Sequence, residues 1–199
     1  SGVAVKYCTM LGFSQGSWSD GGSQIIFEFC QFDCLGAIRF TNGYDLNYAI
    51  GCRAYNFLQS EVDGYDDRTK RDGKAYLCDG AGNGGHVFLN CFAYGYRIAF
   101  SMETQGSYLL QGCWADGGRV LATGKSYWTD SIGFNLISGN TASNAECQVV
   151  DCKFSAQDTG VLVGAGMYGA TLISGFHAWE CSEAIVVATD NVQISNGAI

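Results

Sequence analysis

Residues 86–100 read HVFLNCFAYGYRIAF, and residues 107–123 read SYLLQGCWADGGRVLAT. Both hold an apolar run, then Asn or Gly, then Cys, then an alternating stretch. Aligned on the cysteine, the phrase recurs with anchors at Cys30, Cys52, Cys91, Cys113 and Cys152, and with Phe176 in the same place in a sixth copy. Successive anchors are 22, 39, 22, 39 and 24 residues apart. Three residues before them stand Phe27, Ala49, Phe88, Leu110, Val149 and Ile173; two residues after them stand Phe32, Ala54, Ala93, Ala115, Phe154 and Ala178. Every one of these is apolar, so both positions point into a core.

Directly before the anchors come Phe29, Gly51, Asn90, Gly112, Asp151 and Gly175. All but Phe29 are residue types that tolerate a left-handed backbone, which a sharp bend between two strands requires. Each copy therefore reads as a strand, a one-residue bend and a second strand that turns Cys and Phe or Ala inward. A third apolar stretch follows: GAIRF (36–40), YRIAF (96–100), RVLAT (119–123), GVLVG (160–164) and EAIVVA (183–188). Alternation and β-branched enrichment favour strands throughout, and no segment has helical periodicity with a cap.

A period near 22 residues with short strands and Gly or Asn bends is the arithmetic of a parallel β-helix. Its coils stack about 4.8 Å apart, so like side chains form ladders. The expected fold is all-β, a single β-helix domain over 1–199 of about seven coils. Leucine-rich repeats share the period but carry a Leu/Asn consensus that is missing here, and a sandwich would not hold register through six copies. The 39-residue intervals exceed one coil by 17 residues, which maps to excursions at 59–74 and 124–144.

Composition agrees. Of 199 residues, 28 are Gly and none is Pro, as suits a chain of centrally paired strands that needs every ladder donor. The net charge of −8 leaves no basic footprint for nucleic acid and no polybasic membrane patch. No apolar run approaches the ~18 residues of a spanning helix, so membrane insertion is not expected. The chain opens on Ser1-Gly2 without Met and ends on NVQISNGAI, which reads as cuts within a longer protein. Five of ten cysteines share one repeat position and are expected to be buried free thiols, which suits a reducing compartment. Cys30-x3-Cys34 and Cys147-x4-Cys152 lack a second close pair, and His86 and His177 stand alone; no metal and no cofactor is expected.

Chemistry must then sit on the outward positions. One residue past the anchors stand Gln31, Arg53, Phe92, Trp114, Lys153 and His177; three past stand Asp33, Tyr55, Tyr94, Asp116, Ser155 and Trp179. This much aromatic surface calls for a partner. Sugars fit, with rings against their C–H faces and charged groups at their hydroxyls; a subunit interface is the competing reading. The substrate-binding candidates are Arg53, Tyr55, Tyr94, Trp114 and Trp179. Glycoside hydrolysis needs two carboxyls about 5–10 Å apart. Asp33 and Asp116, three coils or about 14 Å apart by the stacking rise, are too far. Asp116, Asp158 and Glu180 come from successive coils near one edge and are the catalytic candidates, with Glu28 and Glu103 as isolated alternatives. For each, a solvated surface carboxylate is the plainer reading. No G-x-S-x-G elbow occurs, and GAGNGG (80–85) precedes no helix, so neither a nucleophile elbow nor a phosphate cradle is indicated.

HVFLNCFAYGYRIAF, CQVVDCKFSAQDTGVLVG (147–164) and TLISGFHAWECSEAIVVAT (171–189) resemble the coils of the pectate-lyase-like right-handed parallel β-helix, and more narrowly the body of bacteriophage tailspikes. The likeness runs from about Gln24 to the end, and it is one of coil architecture rather than of functional motifs. It implies a right-handed solenoid that forms part of a homotrimer on a virion tail, assembled in the host cytoplasm. It further implies binding, and often hydrolytic or lytic cleavage, of a bacterial surface polysaccharide, capsule or O-antigen. Residue roles do not carry over, because tailspike carboxylates vary in position. A non-catalytic adsorption component and a polysaccharide lyase are the alternatives, the latter drawing attention to Arg53 and Arg97.

Overall fold

The computed structural model describes residues 2–56, 73–82, 84–104, 106–117, 130–137, 146–167 and 169–199. These residues form a right-handed parallel β-helix of three sheets in which every pairing is parallel. The first sheet stacks Val3–Lys6, Ile25–Glu28, Asn47–Ile50, His86–Leu89, Tyr108–Gln111, Cys147–Val150, Thr171–Ser174 and Val192–Ser195. The second stacks Thr9–Leu11, Gln31–Asp33, Arg53–Tyr55, Phe92–Tyr94, Trp114–Asp116, Lys153–Ser155 and His177–Trp179. The third stacks Gln15–Asp20, Gly36–Thr41, Lys74–Asp79, Ile98–Met102, Ile132–Leu136, Thr159–Val163 and Glu183–Val187. One strand of each makes a coil, giving coils 1 to 7 and the opening strand of coil 8.

The one-residue bend between the first and second sheets is left-handed in every coil. The six expected positions all have positive φ, including Phe29 at 52°, and the pattern extends to Tyr7 at 53° and Asn196 at 53°. Cys8 is thus a further copy of the anchor, and Gly197 replaces it in the last. The thiol has a specific task there. Cys30 Sγ donates to Val5 O (3.4 Å), Cys91 to Ala49 O (3.2 Å), Cys113 to Phe88 O (3.4 Å) and Cys152 to Leu110 O (3.3 Å). Each acceptor stands three residues before the anchor of the preceding coil. A small, weakly donating side chain fits that spot without leaving a polar atom orphaned in the core. All ten cysteines are free.

The third sheet departs from expectation in two coils. Coil 5 draws its strand from Ile132–Leu136, inside the excursion expected at 124–144. Phe134 and Leu136 pair with Phe100 and Met102 and are fully buried, so the core claims this segment. In coil 3 the strand begins at Lys74, which ends the first expected excursion at 59–74. Residues 59–72, 124–129 and 138–144 of the excursions, and RVLAT, lie outside the described residues.

Aromatic rings fill the prism. Phe100 is stacked between Tyr76 (centroids 4.7 Å, planes 12° apart) and Phe134 (4.9 Å, 6°). Tyr76 keeps its hydroxyl satisfied by donating to Cys52 O or Phe92 O, both at 3.0 Å. Where the second sheet supplies the large Phe154, the third supplies Gly160, whose absent Cβ would lie 2.2 Å from that ring. Truncating the middle of the stack, Phe100→Ala, removes partners on both faces and is expected to cost about 3–5 kcal/mol in chemical denaturation.

His86 lies in the core of the first sheet, 1% exposed, stacked between Phe40 (5.6 Å) and Tyr108 (5.8 Å). Neither ring nitrogen has a hydrogen-bond partner. Burial lowers its pKa from 6.5 to about 4. The unfolded chain therefore binds one more proton than the folded one between those values, and stability rises with pH across that window. Acidification from above pH 6.5 to about 4 should cost on the order of 3 kcal/mol through this residue. His86→Phe should flatten the loss in denaturant titrations across this range; an unchanged slope contradicts the assignment.

Candidate functional site

The second sheet is built of three-residue strands whose middle residue faces the core, so the two flanking residues must face out. The middle residues, Phe32, Ala54, Ala93, Ala115, Phe154 and Ala178, are at most 5% exposed. Both outward rows align coil over coil in the expected register, Gln31 through His177 and Asp33 through Trp179. Ser155 is the exception to outward exposure. It is 2% exposed because Trp114 lies across it and donates from Nε1 to its Oγ at 3.3 Å.

All five substrate-binding candidates share this face. Tyr55 meets Phe92 edge-on (5.6 Å), Phe92 meets Trp114 edge-on (5.1 Å), and Trp114 tilts toward Trp179 two coils on (6.0 Å). Lys153 holds its ammonium 5.9 Å from the Trp114 ring, within cation–π reach. Trp114 and Trp179 remain 37% and 39% exposed. Arg53 is exposed one coil before Phe92, and Tyr94 is half-buried beside Phe92. The result is a rigid aromatic strip with cations at its margin.

Asp116, Asp158 and Glu180 lie in coils 5, 6 and 7 at the corner where the second sheet turns into the third. They are staggered rather than level. Asp116 pairs in register with Ser155, three residues short of Asp158; Glu180 follows Trp179, the partner of Ser155, and so stands two residues short of Asp158. Asp116 and Asp158 are half-buried, and Glu180 is exposed on a left-handed residue (φ 60°). Asp158 has its backbone N–H bonded to Ser131 Oγ (2.9 Å), which pins that turn. The isolated alternatives are engaged elsewhere: Glu28 pairs with Lys6 (2.5 Å), and Glu103 with Lys74 (2.5 Å) and Ser101 (2.6 Å). Arg97 pairs with Asp130.

Two weaker features resolve structurally. In the GAGNGG turn, the Ala81 N–H donates to Asn42 Oδ1 (2.8 Å) and the Gly84 N–H to Gly43 O (2.9 Å). Those donors tie one coil to the next. Among the described residues, no group of three or more His, Cys, Asp or Glu could hold a metal ion, and no helix is long and apolar enough to cross a membrane.

The outer face of the first sheet at coils 6 to 8 holds none of the residues singled out from the sequence. There Gln148, Leu172 and Gln193 align in register beside an open groove. The signal was available, since Gln148 and Leu172 stand four residues before the anchors Cys152 and Phe176.

No family model, curated protein or solved structure matches this chain.

Proposed function

We propose that the outer face of the second sheet binds polysaccharide, and that the chain is part of a tailspike-like protein that binds and depolymerises a bacterial surface glycan, capsule or O-antigen. The observation that carries this reading is the strip of Phe92, Trp114 and Trp179 with Lys153 at its side. Indole rings held about 6 Å apart on a rigid sheet offer flat apolar platforms, and the neighbouring ammonium and carboxylate reach hydroxyls. Because the platforms sit on strands, their ordering cost is met before any ligand arrives.

Hydrolysis would use two carboxyls from Asp116, Asp158 and Glu180. One protonates the departing glycosidic oxygen; the other activates water or attacks the anomeric carbon. Association into a homotrimer, display on a virion tail and assembly in the host cytoplasm belong to the same proposal. The stagger of the three carboxylates favours a second reading, adsorption without cleavage, in which the strip holds the glycan and no bond breaks. An elimination would turn on Arg53, since Arg97 is held by Asp130.

The experiment is incubation with capsule and O-antigen preparations, following bound glycan, new reducing ends and the ultraviolet absorbance of unsaturated sugars. Reducing ends without that absorbance are expected. Trp114→Ala or Trp179→Ala should weaken binding about tenfold each, the loss of about 1.4 kcal/mol of stacking. Asp116→Asn, Asp158→Asn and Glu180→Gln should spare binding, and at least one should abolish turnover. Binding with no new ends leaves the adsorption reading; no binding to any glycan overturns both.

A further inference from the structure

A groove of about 580 Å³ opens on the outer side of the first sheet at coils 6 to 8. Its plan follows from the register. Glu146 and Gln148 stand on the coil 6 side, Asn191 and Gln193 on the coil 8 side with Asp190 one residue before them, and Ala170 and Leu172 between them on coil 7. The middle strand thus carries a small residue and an aliphatic one where its neighbours carry long polar ones. That difference in side-chain length makes an apolar floor with two polar walls. The walls are two coils apart, about 10 Å at the backbone. The width suits one extended chain of sugar rings, and the volume lies within the range of ligand sites, about 300–1,000 Å³. Glu146, Gln148, Asp190 and Gln193 are all exposed, so their acceptors and donors are available to a ligand.

We infer that this groove is a second carbohydrate subsite, specific for a sugar segment without negative charge. The floor takes the C–H face of a ring. The coil 6 wall offers one carboxamide and one carboxylate, and the coil 8 wall two carboxamides with the Asp190 carboxylate beside them; a carboxamide both donates and accepts, and a carboxylate accepts hydroxyl protons. No lysine or arginine lines it, and the chain carries a net charge of −8, so uronates and phosphorylated sugars are repelled while neutral and amino-bearing sugars are admitted. The inference rests on the polysaccharide reading above, but it concerns a different face: the aromatic strip lies on the second sheet.

The test is an array of neutral, amino-bearing and acidic oligosaccharides, probed with the wild-type chain and with Gln148→Ala/Gln193→Ala, Leu172→Asp and Trp114→Ala/Trp179→Ala. Circular dichroism and melting of each variant come first; the substituted residues are exposed or half-buried, so wild-type melting is expected. Binders should be neutral or amino-bearing, and the double glutamine variant should lose affinity at least about tenfold, the worth of one lost charge-flanked hydrogen bond. Leu172→Asp should lose as much. Glycan binding that depends on the tryptophans but is untouched by the groove variants overturns this inference and leaves the proposed function standing. A preference for acidic glycans, or displacement of bound sugar by a lysine-rich peptide through the same groove residues, overturns it as well. No glycan binding by the wild type removes both.

Discussion

The structure depends on a single residue per coil that turns the chain through a left-handed bend. A bend of one residue leaves no slack: the strand before it and the strand after it are locked in phase, so a residue three before the anchor and one two after it must both face the core. Repeating this at each turn of the solenoid fixes the register of the first and second sheets. It also brings the thiol of the next anchor within reach of the carbonyl three residues before the preceding anchor, on the first-sheet strand. Cysteine recurs for that reason. A Val would fill the space without a donor; a Ser would hydrogen-bond more strongly but give up apolar contact.

Most bends use Gly, Asn or Asp, which adopt φ near +55° at little cost. Tyr7 and Phe29 do so without that licence and lie stacked on each other, 5.6 Å apart and 15° from parallel. Gly51 continues the column, and a Cβ there would sit 2.5 Å from the Phe29 ring. The bend column therefore shows the same rule as the core: a large group in one coil demands a small one above or below. The same size alternation across the first sheet, Gln148 over Leu172 over Gln193, opens a groove at the surface. Inside it yields density, and outside it yields relief.

Much of this was legible from the spacing of Cys30 to Phe176, because burial and the bend act on the same few positions in every copy. Coils 3 and 5 were harder. Their third strands, Lys74–Asp79 and Ile132–Leu136, are displaced in sequence by the intervals that lengthen those coils. RVLAT and IGFNL are equally apolar as strings; only the stacking of Phe134 on Phe100 chooses between them. Ser155 was read as an outward polar residue, and in direction it is one, but a neighbouring indole covers it. Such cover comes from side-chain rotamers in the adjacent coil, which a single-sequence pattern does not encode. The carboxylates show the same limit: their coil and corner follow from the repeat, whereas their stagger follows from turn lengths.

Spin-label distances along one outward column test the stacking most directly. Gln31, Arg53, Phe92, Trp114, Lys153 and His177 form a straight row in which each step is one coil. Nitroxides on Gln31→Cys and His177→Cys should be about 24 Å apart, and moving the second label from His177 to Lys153 should shorten the distance by about 5 Å. A separation that does not fall with the number of intervening coils would contradict the solenoid, and with it every functional face derived from its register.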